Sequence, residues 1–205
     1  MEKHDYCDCS RLHHYNKVPK IALRWQLSLI FITLSFIIMR PLIVKQLISR
    51  ASSYMACELF NDAIRSFKKA VFIDKKNIVA WNMLGYSYKS NGDLNKSVYA
   101  YRQAIKTDPK DINANFSLGA ILASKKRYKE AVPYLEQIIK SGRDEQGKAI
   151  VVVSYYKSSL KLLVSCYEAL KEFDKMNNAL EELRRYCPED NMILNEANPG
   201  RLFKQ

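Results

Sequence analysis

The pattern of apolar and polar positions divides the chain into unlike stretches. Residues 1–20 are mostly polar, and then the text from Ile21 to Val44 turns apolar, with Leu27–Met39 carrying no charge and no strong helix breaker. A helix needs about 20 mostly apolar residues to cross the hydrocarbon core. The run reaches that length if Arg24 and Arg40 extend their guanidinium groups to opposite interfaces, with Trp25 beside the basic flank. It predicts one transmembrane helix over 21–43. Apolarity on all sides of Leu27–Met39 argues against a helix packed on one face only. A cleavable signal would share this layout, but Arg40-Pro41-Leu42-Ile43-Val44-Lys45 offers no small-x-small site.

Beyond residue 44 the pattern becomes periodic. Ala63, Ser97 and Ala131 stand 34 residues apart, as do Phe67, Tyr101 and Leu135, and Ala70, Ala104 and Ile138. Ala51, Gly85 and Gly119 keep the same step, and so do Tyr54, Tyr88 and Leu122. Small and large positions recurring together at one interval predict stacked helix–turn–helix units. Asn91-Gly92-Asp93 predicts a tight turn between two helices, with Gly92 accepting positive φ. Asp108-Pro109 ends a helix and suits the start of the next, since proline fits a first helical turn.

The residues Trp81-x-x-Leu84-Gly85-x-x-Tyr88, then Ser97, Tyr101, Ala104 and Pro109, resemble the tetratricopeptide-repeat (TPR) family, with Ser97 where alanine is usual. The resemblance implies an all-α helical solenoid of about four repeats, over 44–77, 78–111, 112–145 and 157–190. A single transmembrane helix precedes it, and 189–205 form a short cap and tail. Repeat one lacks the Trp and Leu, having Leu47 and Arg50; repeat three has Asn115 for Trp and Arg143 for Pro. Repeat four is displaced, with Leu160, Leu163, Tyr167, Met176, Leu180 and Leu183 keeping only the internal spacing. Gln146–Tyr156 is expected to prolong the helix that follows it. Such units bury their apolar faces only by stacking, about three or more together.

The resemblance also implies that the first helix of each repeat lines a groove that receives a peptide or a partner's helix. The positions facing it map onto Asn82, Tyr86 and Lys89, Asn113 and Phe116, and Lys161. The amides suit a peptide backbone, the rings apolar contact, and the lysines acidic groups. A two-carboxylate clamp of the kind that holds chaperone tails is absent, since repeat one offers Ile48 and Ser52 and repeat three Asn113 and Ser117.

Charge adds a second reading. Lys and Arg exceed Asp and Glu by 12, but the basic residues are spread, the densest cluster being Lys125, Lys126, Arg127 and Lys129. Spread charge fits a solvated surface better than a nucleic-acid site. The alternative function is thus a basic surface for nucleic acid, another polyanion or anionic lipid. The basic residues before the apolar run outnumber those just after it, which favours a cytoplasmic N-terminus and repeats on the other side of a membrane.

No catalytic constellation is expected, and no cofactor. All three histidines, His4, His13 and His14, lie outside the repeats, and neither a phosphate-binding glycine loop nor HExxH occurs. Cys7-x-Cys9 matches no usual zinc spacing, so free or S-acylated thiols are expected there and no metal. The function these features imply is a membrane-anchored adaptor that binds other proteins and supports assembly of an envelope, transport or secretion complex.

Overall fold

The computed structural model describes residues 20–141 and 153–186, with side chains described at 38–141 and 154–185. Among them run eight helices: α1 (Lys20–Ala56), α2 (Phe60–Ile73), α3 (Ile78–Ser90), α4 (Leu94–Thr107), α5 (Ile112–Ser124), α6 (Tyr128–Ser141), α7 (Val153–Leu170) and α8 (Phe173–Tyr186). Residues 1–45 and 46–205 form separate units. The span expected over 21–43 falls, up to residue 37, on side chains outside the described set. Among the described residues no helix is long and apolar enough to cross a membrane. Cys7, Cys9 and the histidines also lie outside the described residues, as does the segment 189–205.

Each second helix of a pair is strongly two-faced. In α2 the buried residues are Ala63, Ile64, Phe67, Ala70 and Val71 with Ser66, a stripe at i, i+3, i+4 and i+7. Those stripes close on the first helices, and successive pairs α3–α4, α5–α6 and α7–α8 stack into an all-α, TPR-like solenoid. Close approach within a pair rests on small residues. A Cβ on Gly85 would stand 2.9 Å from the Tyr101 ring, and one on Gly119 would stand 2.7 Å from Leu135 Cδ2. Ser97 serves as the small residue opposite Gly85. Its buried hydroxyl donates to the Gly85 carbonyl at 2.8 Å, which satisfies a group that alanine would not carry.

The turn inside every pair is the same. Gly92 has φ +85°, and Glu58, Lys126 and Lys171 occupy the equivalent positions with φ of 58°, 59° and 59°. In each, the next N–H reaches back five residues to the helix carbonyl: Leu59 to Tyr54, Asp93 to Tyr88, Arg127 to Leu122 and Glu172 to Tyr167. That is the left-handed helix stop, and here three side-chain-bearing residues adopt it at some cost in strain.

The links between pairs depart from one expectation. Pro109 does not open the next helix; α5 begins at Ile112, capped by Asp111, whose carboxylate accepts from the Ala114 N–H at 2.7 Å. Asn77 caps α3 in the same way, accepting from Ala80 at 2.9 Å. A capping side chain three residues ahead satisfies a free N–H that proline could not supply, so the cap fixes the boundary. Helix α7 starts at Val153, and the residues 142–152 before it lie outside the described set.

Burial raises the phenols of Tyr88, Tyr101 and Tyr167 above their ordinary value, and at Tyr167 the hydrogen bond to Glu136 raises it further. Tyrosines of the unfolded chain ionise near about 10. Below that pH both states hold the proton and these groups leave stability unchanged. Above it the unfolded chain loses protons first, so stability falls as pH rises towards the folded values. Alkaline titration is expected to unfold the repeats cooperatively, with tyrosinate absorbance appearing together with loss of helical circular dichroism. In Tyr167→Phe the decline with pH should be shallower. Tyrosinate absorbance that develops fully while the helices persist would contradict this account.

Candidate partner-binding site

The first helices α3, α5 and α7 carry all six residues implicated by the sequence, and the structure sorts them by what they already hold. Asn82, half-buried on α3, donates from Nδ2 to Asp111 Oδ1 at 2.9 Å, and that carboxylate oxygen also caps α5. The Asn82 amide N–H is therefore engaged across the junction of two repeats rather than free for a peptide, and Asn82 Oδ1 is buried without a hydrogen bond. Asn113 is exposed on α5, where its Oδ1 accepts from the Tyr155 hydroxyl at 2.8 Å. Phe116, one turn along, meets the Tyr155 ring edge-to-face with centroids 5.2 Å apart. Tyr86 is half-exposed on α3 and Lys89 is exposed one turn further on. Lys161 is half-buried on α7, and its carbonyl accepts from Ser165.

Two more residues complete the site: Tyr155, which the sequence did not single out, and Tyr101, which it marked only as a packing position of the repeat. Tyr155 enters from the first turn of α7 and ties Asn113 to Phe116. Tyr101 comes through from α4: its ring fills the space beside Gly85, while its hydroxyl interacts with Ser117 on α5. Burial pushes the Tyr101 phenol up, the Ser117 hydrogen bond draws it down, and the neighbouring Tyr86 and Tyr155 hydroxyls push it up again. Three rings, Tyr86, Phe116 and Tyr155, thereby stand on the first helices of three consecutive repeats, with the buried Tyr101 of α4 beside them. Aromatic side chains of this kind offer much apolar area at low entropic cost, with hydroxyls at the rim to orient a ligand.

Among the described residues no group of three or more His, Cys, Asp or Glu side chains is placed to hold a metal. Cys166 is buried and burial pushes its thiol up, which keeps it protonated and unreactive.

Residues 85–126 match the model of the TPR repeat, and residues 112–142 match that of the tetratricopeptide repeat. Among curated proteins, the chain is 34% identical over 83 residues to the general transcriptional corepressor trfA of Dictyostelium discoideum, covering 40% of this chain and 6% of that protein. It is 32% identical over 82 residues to the peroxisomal targeting signal receptor of Candida albicans, covering 40% of this chain and 14% of that one. The chain thus spans only a small part of the curated relatives it matches. Among solved structures, MamA superposes with a TM-score of 0.60 at 21% identity, over 73% of this chain and 75% of that one, a likeness of fold. Residues 85–142 of this chain are tetratricopeptide repeats, set within a TPR-like all-α solenoid.

Proposed function

We propose that this chain is a scaffold that binds other proteins, taking a peptide or helix of its partner across the first helices α3, α5 and α7. The observation that carries this reading is the gathering of Tyr86, Phe116 and Tyr155, with Asn113 at their edge, on the first helices α3, α5 and α7. Rings exposed to solvent in a repeat fold, beside polar groups with capacity left over, are the composition of an interface centre. The relatives support the class: one is a corepressor and another a targeting-signal receptor by name. The reading extends to a tether, since the apolar run within 21–43 has the length and flanks of a single span, and the site would then work at a membrane surface, as part of an envelope, transport or secretion complex. The side of that membrane follows the basic residues before the run, which places the repeats outside the cytoplasm.

Tyr86 and Phe116 are the residues to replace, because Asn82 also holds Asp111 and its loss would confound binding with folding. In moderate salt the full chain should capture a partner that the Tyr86→Ala, Phe116→Ala variant loses, with the variant's helicity unchanged. Retention of the same partner by the variant would remove the site from these helices. Counterion release makes polyanion binding steeply salt-dependent. Capture that vanishes with modest added salt and ignores the rings would instead support the basic surface.

A further inference from the structure

The second helices form a face of their own, and it differs from one end of the repeats to the other. Between α2 and α4, with α3 as floor, lies an open cleft of about 420 Å³. Its floor is Leu84 and Val71, and its walls are aromatic: Phe72 is 80% exposed, Tyr99 is 59% exposed, and Trp81 meets Tyr99 edge-to-face at 6.2 Å. The Trp81 indole is held in place by donating to the Lys75 carbonyl at 2.8 Å. Lys68 and Lys75 stand on the rim, no lining residue is acidic, and neither lysine makes an ion pair among the described residues.

The same cleft recurs between α6 and α8, at about 490 Å³, and serves as an internal comparison. There Leu160, Leu163 and Tyr167 take the places of Trp81, Leu84 and Tyr88, while Lys140 and Asn178 replace the exposed rings of Phe72 and Tyr99. Its charges are balanced, with Glu136 and Glu182 beside Lys140 and Lys175. The carboxylates are also engaged internally, Glu136 accepting from the Tyr167 hydroxyl at 2.6 Å and Glu182 from that of Tyr156. Where one cleft is settled by its own side chains, the other keeps exposed rings and uncompensated positive charge.

We infer that the α2–α4 cleft is a second docking site, which takes an acidic peptide segment of a partner protein bearing aromatic or long aliphatic side chains between its carboxylates. The apolar floor between two helices accepts a side chain from above, the rings cover it, and Lys68 and Lys75 meet the flanking carboxylates. Charge complementarity sets the class, since a lining with two cations and no anion discriminates against neutral and basic segments. A row of bases would need several ring faces open along a basic track, whereas Trp81 and Tyr99 are turned edge-to-face against each other beside a single hollow. The site is separate from the one on α3, α5 and α7 and stands or falls apart from it.

The test uses the full chain and a fluorescein-labelled synthetic peptide in which phenylalanine and leucine alternate with glutamate and aspartate. Anisotropy should show binding that weakens about tenfold in Phe72→Ala and again in the Lys68→Glu, Lys75→Glu variant. The Lys140→Glu variant in the companion cleft should bind as the parent does. Phe72 is so exposed that its removal leaves the core untouched, which circular dichroism checks. The proposal is overturned if the peptide does not bind or if a lysine-substituted version binds equally. It is overturned too if binding ignores the Phe72 and lysine changes. A labelled oligothymidylate that outcompetes the peptide at this cleft would also overturn it, as would self-association of the chain that Phe72→Ala abolishes.

Discussion

Replacing Tyr101 with alanine is expected to destabilise the repeats by about 3–5 kcal/mol, the range for emptying a buried aromatic site. Only 2% of Tyr101 is exposed, and its ring occupies the gap that the missing side chain of Gly85 leaves between α3 and α4. Tyr101 belongs to the buried core with Ala104, Ala114 and Leu118, so removing its ring opens a cavity within packed side chains. Chemical denaturation followed by circular dichroism measures the loss. Tyr101→Phe keeps the ring and removes only the hydroxyl beside Ser117, so it should cost about 1 kcal/mol. Equal losses in the two variants would show that the hydroxyl, not the ring, carries the stability.

The glycine opposite provides a sharper check. Gly85→Ala places a methyl group 2.9 Å from two ring carbons of Tyr101, a strain of about 1–3 kcal/mol, against a helix-propensity gain of about 1 kcal/mol. The net change in the parent should be destabilising. Once Tyr101 is alanine, the obstruction is gone and only the propensity gain is left. Gly85→Ala should then stabilise, giving a coupling of about 2 kcal/mol between the two sites. Additive effects would mean that the ring and the glycine do not define the packing distance of α3 and α4.

The interval of 34 residues made this part of the fold readable, because spacing of small against large side chains is a packing statement in itself. Gly85 with Tyr101 and Gly119 with Leu135 are contacts that the text announces. The turns were only partly readable. Gly92 signals positive φ, but Glu58, Lys126 and Lys171 take the same conformation with nothing in their chemistry to advertise it. There the helix-end hydrogen bonds impose the backbone on residues that would not choose it. The candidate site was legible by position and not by engagement. The repeat register put Asn82 on the right helix, yet its partner Asp111 is the last residue before the next repeat, where it looks like an ordinary cap of α5. Tyr155 was missed for a different reason: the insertion before the fourth repeat breaks the count, so the register begins at 157 and leaves the ring at the start of α7 outside it. Pro109 resembled a helix start because proline tolerates one, but the cap at Asp111 decides.

The register also made Asn115 look like a lapse, since it stands where Trp81 stands one repeat earlier. The hydrogen bonds show what the two share. Trp81 donates from its indole to the carbonyl of Lys75, six residues back, at 2.8 Å; Asn115 donates from Nδ2 to the carbonyl of Pro109, also six back, at 3.0 Å. Both secure the link that enters their helix, and Asn115 adds a second bond to the Asp111 carbonyl at 2.8 Å. Only 2% of Asn115 is exposed, so water cannot replace the lost donor. Asn115→Ala is therefore expected to cost about 2–3 kcal/mol, as two hydrogen bonds vanish and the Pro109 carbonyl loses its partner. Asn115→Asp is nearly the same shape but sets a carboxylate against two carbonyl oxygens. At neutral pH it should destabilise more than alanine does. In acid the protonated carboxyl can donate again, and part of the loss should return. An Asp variant as stable as the parent at neutral pH would mean that the donor at this position does not hold the link.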